Sequence, residues 1–156
     1  MPPPAHVLLC YDASDAARRA IERAGALVGG GRATVLTVCE PTATIPAFDP
    51  GSVVSDLVGR LTGLTKEMDG IGRELAGKAA AEGAELAGVA GFDAQPRVVT
   101  GQPWPSILQV ADELDADLVV AGTRGASSGV SSALMGSVAT GLVHHSKRPV
   151  LVIPAA

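Results

Sequence analysis

The sequence predicts an α/β fold: a doubly wound, five-stranded parallel sheet in the order 3-2-1-4-5 with helices on both faces, in one domain spanning residues 1–156. Three observations lead there. Five short runs are apolar almost throughout: HVLLCY (His6–Tyr11), ATVLTV (Ala33–Val38), PRVVT (Pro96–Thr100), DLVVAG (Asp117–Gly122) and PVLVIP (Pro149–Pro154). Strands this evenly apolar are buried on both faces, as parallel strands under helices are. The segments between them carry helical periodicity, and right-handed crossovers then make the sheet doubly wound. Finally, 156 residues suit a single domain that buries a sizeable core without disulfide or metal staples.

The first strand ends at Asp12-Ala13-Ser14-Asp15, a cluster of helix-start residues. The next segment, AARRAIERAGALV, sets Ala17, Ala20, Ile21, Ala24 and Leu27 on one face and places its charges elsewhere, the pattern of an amphipathic helix. Gly29-Gly30-Gly31 stops it. After the second strand comes CEPTATIPAFDPGS, whose Pro41, Pro46 and Pro50 exclude regular ladders and predict a long extended loop of the kind that often carries function. Val54, Leu57, Leu61, Leu64, Met68, Ile71 and Leu75 then recur at alternating spacings of three and four, predicting a long helix with one apolar stripe laid on the sheet. A coiled coil is the weaker reading, because Gly59, Gly63, Gly70, Gly72 and Gly77 make a poor free-standing helix. Gly101 to Pro105 turns the chain after the third strand, and SILQVADELDA forms an amphipathic helix with Ile107, Leu108, Ala111 and Leu114 inward. A short helix over about Ser137–His145 precedes the fifth strand.

Composition narrows the function. Twelve basic against sixteen acidic residues give a net charge of −4, with no basic run beyond the pairs Arg18-Arg19 and Lys147-Arg148. A nucleic-acid binder concentrates positive charge on one face, so that class is disfavoured. No apolar run approaches the roughly 20 residues of a membrane span, and MPPPAHVLL lacks a signal peptide's basic start, so the expectation is no membrane and a cytoplasmic location. Cys10 and Cys39 lie in apolar strands and read as small buried hydrophobes. No metal-ligand spacing is present.

The informative stretch is VVAGTRGASSGVSSALMGSV, Val119 to Val138, in which a strand gives way to glycines and serines. Glycines after a buried strand let backbone N–H groups approach a ligand closely, and Gly136-Ser137 stands at the start of a helix, where unpaired N–H groups and the dipole favour phosphate. In a doubly wound sheet ligands bind beyond the carboxyl ends of the strands where strand order reverses. With order 3-2-1-4-5 that point lies between the first and fourth strands, so Asp12 and Gly122 flank it. Asp12 suits acceptance of a hydrogen bond from a ribose hydroxyl or adenine amino group; equally it suits a helix cap or turn. Trp104 suits base stacking or, more commonly, a wedge between loop and helix.

With these residues in view, LLCYDASDAARRAIERAGAL, TVLTV, ILQVADELDADLVVAGTRG and GSVATGLVHHSKRPVLVIP together resemble the universal stress protein family over nearly the whole chain. The resemblance implies a Rossmann-like fold of the adenine nucleotide alpha hydrolase type. The family's nucleotide-binding branch carries G-x2-G-x9-G-(S/T); here Gly122, Gly125 and Gly136-Ser137 match, with ten residues rather than nine between the last two glycines. It implies ATP, or AMP or cyclic AMP, with magnesium accompanying ATP. It further implies Asp12, Ala13 and the Val38 backbone beside the adenosine, and Gly122, Thr123, Arg124, Gly125, Gly136, Ser137 and Val138 around ribose and phosphates. A homodimer through the fifth strand, Val150–Pro154, is also implied, and an apolar edge strand does invite pairing.

Catalysis asks for more. Gly122 to Ser137 contains no lysine, so the P-loop pattern is absent, and Asp12 is the one nearby carboxylate for a metal. The expectation is a nucleotide-binding sensor or regulator of the stress response with little or slow hydrolysis. Two alternatives stand beside it. A hydrolase or transferase would use His144 or His145, which equally suit the negative end of a helix. An interaction module that no longer binds ATP would explain the longer loop.

Overall fold

The computed structural model describes residues 6–42, 54–124 and 135–155. Its elements are β1 His6–Cys10, α1 Asp15–Val28, β2 Gly31–Cys39, α2 Val54–Val89, β3 Phe92–Thr100, α3 Pro103–Glu113, β4 Leu118–Gly122, α4 Ser137–His145 and β5 Val150–Ile153. The strands form one sheet in the order β3-β2-β1-β4-β5, every pairing parallel, as the sequence predicts. The register sets Leu9 beside Val35 on one side and Val120 on the other, which places the ends of β1 and β4 next to each other.

The two-residue period of a strand builds two cores. Val7, Leu9, Val35 and Val120 face α1 and the second half of α2, meeting Ala20, Ile21, Ala24 and Ala87. Leu8, Leu36, Val119 and Ala121 face the opposite way, toward Ile107, Val110 and Ala111 of α3 and Leu142 of α4. Continuous apolar runs in β1, β2 and β4 are therefore required, since every second residue serves a different core.

Helix ends follow local chemistry. Ser14 caps α1, its hydroxyl accepting from the Ala17 amide, and Gly29 closes the helix in a left-handed conformation with its amide on the Gly25 carbonyl. The α1 face is as predicted except at Leu27, which is exposed; Gly25 is buried there instead, because a Cβ would sit 2.3 Å from the Ala90 carbonyl oxygen. α3 starts at Pro103 rather than Ser106, since proline tolerates the first turn, where its missing N–H would have no partner.

Two predicted features are corrected. β3 runs from Phe92 rather than Pro96. It is an edge strand, where Asp93, Gln95 and Pro96 are tolerated because one side has no ladder to satisfy. The second correction concerns α2. The predicted stripe does not lie on the sheet: Leu57, Leu61, Leu64, Met68, Ile71 and Leu75 are all exposed. Small residues, Ala76, Ala80, Gly83 and Ala87, are buried in their place. The close approach demands them, since a Cβ on Gly83 would lie 2.7 Å from the Tyr11 ring and from Val35. The predicted proline-rich loop lies largely outside the described residues. Among those described, no helix is long and apolar enough to cross a membrane.

Candidate functional site

At the carboxyl end of the sheet the chain leaves β1 toward α1 and β4 toward the glycine-rich segment, and the two departures leave a cavity of about 350 Å³ between them. This is the size of a small-molecule site. Asp12 and Val38 line it from the β1 and β2 ends. Gly122, Thr123 and Arg124 line it from β4, and Gly136, Ser137 and Val138 from the start of α4. Ala13 lies apart, on a shallower hollow that also touches Asp12 and Val38. Gly125 lies outside the described residues.

Several elements hold this end of the sheet in place. The Tyr11 amide donates to the Leu36 carbonyl at 2.9 Å, and the Thr37 hydroxyl donates to the Tyr11 carbonyl at 2.8 Å, so β1 stays joined to β2 past its last ladder residue. On the other side the Thr123 amide donates to the Ile153 carbonyl at 2.9 Å. The two ends of the glycine segment meet where the Gly136 amide donates to the Thr123 carbonyl at 2.6 Å. α4 begins at Gly136 without a side-chain cap, so the positive end of its dipole is turned into the cavity wall that Ser137 and Val138 form.

The glycines have a reason the sequence alone does not reveal. A Cβ on Gly122 would stand 3.1 Å from the Ala16 carbonyl oxygen, and one on Gly136 would stand 3.0 Å from the Thr123 carbonyl oxygen. At both positions a side chain would press on the chain's own backbone, a reason for glycine besides the approach of a ligand.

Asp12 takes up a turn role as well as a lining one. Its Oδ1 accepts from the amide of Ser14 at 3.0 Å and from the Ser14 hydroxyl. Ser14 in turn caps α1, so the carboxylate is oriented by the helix start. Between them Ala13 adopts φ of +63°, a left-handed conformation uncommon for a residue with a side chain.

Sequence reasoning missed the apolar and aromatic wall, Cys10, Tyr11, Leu36, Pro103 and Ile107, and Glu40, which also lines the cavity. Nothing in local periodicity marks them, because they gather from three elements. Burial, reinforced by the Asp12 charge, pushes the Cys10 thiol up to about 12, so it is neutral and unreactive. The Tyr11 hydroxyl is likewise pushed up to about 12, by burial first and then by its 2.6 Å hydrogen bond to Glu82. Glu82 also pairs with Arg18 at 2.7 Å, which ties α1 to α2 behind the cavity.

The histidines are elsewhere. His144 and His145 end α4, about 12 Å along the helix from Ser137 at 1.5 Å per residue. His145 stacks on Trp104 at 4.4 Å, and the indole fills the space a Cβ on Gly141 would need. Trp104 is thus a wedge between α3 and α4. Among the described residues no group of three or more histidine, cysteine or acidic side chains is placed to hold a metal.

Known proteins resemble this chain over nearly its whole length. A universal stress protein of Thermus aquaticus is 35% identical over 149 residues, covering 94% of this chain and 96% of its own. A solved universal stress protein in complex with cyclic AMP superposes with a TM-score of 0.65 at 28% identity, covering 98% of this chain and 99% of that one. The structure of a hypothetical protein whose biochemical function was assigned from its structure gives a TM-score of 0.73 at 20% identity, over 96% of this chain and 94% of its own, which shows the shared fold. Residues 5–154 match the universal stress protein family as a whole, and the chain belongs to that family.

Proposed function

We propose that the protein binds an adenine nucleotide, ATP, in the cavity between the ends of β1 and β4, and acts in the cytoplasm as a sensor or regulator in the stress response. One observation carries the reading. The N-terminus of α4 and the residues Gly122, Thr123 and Arg124 line the same cavity at the point where strand order reverses. The dipole and amides of α4 suit a phosphate, and Arg124 adds a cation to the lining. Asp12 and Val38 lie at the other end, where an adenosine would sit, with Ala13 on the adjoining hollow that shares both residues. The relative solved with cyclic AMP supports the ligand class. Gly125 belongs to the same proposal by its position in the motif, and magnesium accompanies ATP.

The site holds a nucleotide better than it splits one. Gly122 to Ser137 supplies no lysine, and His144 and His145 lie at the far end of α4, so hydrolysis is slow at most. The protein acts as a homodimer through β5. Among the described residues that strand ends the sheet and leaves one row of backbone N–H and C=O groups unladdered, with Val150, Leu151 and Val152 half-buried.

The longer spacing, ten residues between Gly125 and Gly136, favours a second reading: an interaction module that does not bind ATP. Calorimetric titration of nucleotide-stripped protein with ATP, AMP and cyclic AMP, with and without magnesium, separates the two. Saturable binding with ATP tightest is expected. A higher rank for AMP or cyclic AMP replaces the ligand, and no heat from any of the three, in folded protein, overturns the nucleotide reading.

A further inference from the structure

The large apolar residues of α2 are turned away from the protein's own core. Leu57, Leu64, Met68, Ile71 and Leu75 are 55–60% exposed and Leu61 is 40% exposed, while the helix spends its small residues on the sheet. Leu57, Leu64 and Ile71 are spaced by seven residues, as are Leu61, Met68 and Leu75, so the stripe repeats every heptad, two positions per seven residues. That period keeps a seam facing another helix over several turns, whereas a helix lying on a globular core drifts with the 3.6 period. Among the described residues nothing lies within 4 Å of a Cβ built on Gly59, Gly63, Gly70 or Gly77 of the same helix, so no contact there compensates their low helix propensity.

We propose that this stripe is the seam of an antiparallel two-helix coiled coil formed with α2 of a second copy of the chain. The stripe is complementary to itself when reversed. Leu57 then meets Leu75 of the partner subunit, Leu61 meets Ile71 of the partner subunit, and Leu64 meets Met68 of the partner subunit, so all six residues are used. The charges flanking one side of the stripe are Arg60, Glu67 and Glu74, each seven residues apart. In the same register Arg60 lies opposite Glu74 of the partner subunit twice over, with a single like-charge meeting of Glu67 with its symmetry mate at the centre. The other flank, Val58, Thr65 and Gly72, is uncharged. A parallel pairing would set Arg60 and Glu67 against Thr65 and Gly72 and form no ion pair. Two-fold self-complementarity is the mark of an isologous contact.

α2 packs over β2 and β3, at the opposite edge of the sheet from β5. The seam is therefore separate from pairing through β5, and it meets the hollow beside Ala13 only at its last residue, Leu75; the two contacts together would build assemblies larger than a dimer.

Site-directed cross-linking tests the register. Under mild oxidation a Glu67→Cys chain is expected to form a disulfide-linked dimer. Arg60→Cys and Glu74→Cys chains should form none separately and a linked pair when mixed. Sedimentation tests the contact: Leu64→Glu combined with Met68→Glu should halve the assembly's mass while the melting temperature and Trp104 fluorescence stay unchanged. An unchanged mass in that folded variant overturns the proposal, as does self-linking of Arg60→Cys, which reports a parallel pair. A wild-type monomer whose stripe amides are protected from hydrogen exchange overturns it too, since the cover then comes from the same chain. Should the double variant fail to fold, the Glu67→Cys link decides alone.

Discussion

The amide of Gly136 and the carbonyl of Thr123 meet at 2.6 Å, joining the residue that opens α4 to the residue that leaves β4. This bond closes the neck of the glycine segment and fixes the first turn of α4 against the cavity. A Cβ at position 136 would press on that same carbonyl at 3.0 Å. Gly136→Val is accordingly expected to lose roughly 1–3 kcal/mol of stability by overpacking and to abolish nucleotide binding. Urea unfolding and calorimetric titration check the two parts, and a variant that keeps full affinity would place the ligand elsewhere.

Asp12 and Ser14 form a second coupled pair. Ser14→Ala removes the α1 cap and is expected to destabilise the fold by about 1 kcal/mol. Asp12→Ala is expected to weaken nucleotide binding by roughly 1.5–3 kcal/mol, the worth of a charge-assisted hydrogen bond. Equal affinity for both variants and the wild type would leave Asp12 a turn residue alone.

Position 83 reports how α2 is seated. Gly83→Ala improves helix propensity yet drives a methyl group to 2.7 Å from Tyr11 and Val35, so a net loss of about 1–2 kcal/mol is expected. Gly63→Ala and Gly70→Ala meet nothing within 4 Å and should each stabilise by about 0.5–1 kcal/mol. Thermal melts of the three variants suffice, and a stabilising Gly83→Ala would mean α2 lies on the sheet by another face.

Stability should fall at alkaline pH. Cys10 is raised from its ordinary 9, and Tyr11 from its ordinary 10, to about 12 in the folded protein, so the unfolded chain releases these protons first. Folding stability from them is fully present below about pH 9 and is lost as pH rises from there to about 12. Urea midpoints between pH 8 and 11 should decline for the wild type and decline less for Tyr11→Phe or Cys10→Ala. Parallel curves for all three would remove burial of these groups as the cause.

The sequence by itself determined the parallel sheet, because strands buried on both faces must be apolar at every position and only helices can cover them. That the loops after β1 and β4 meet followed only if the order was 3-2-1-4-5, and the pairing of β1 with both β2 and β4 establishes that order. Tertiary structure alone decided which face of α2 is buried. Periodicity shows that a helix has an apolar side, but the closeness of Tyr11 and Val35 admits only a residue as small as Gly83 on the face that packs on the sheet. The start of β3 was likewise hidden, because an edge strand needs no apolar face to make its single ladder. Tyr11, Glu40 and Pro103 reach the cavity from different elements, and only the packing of those elements brings them together.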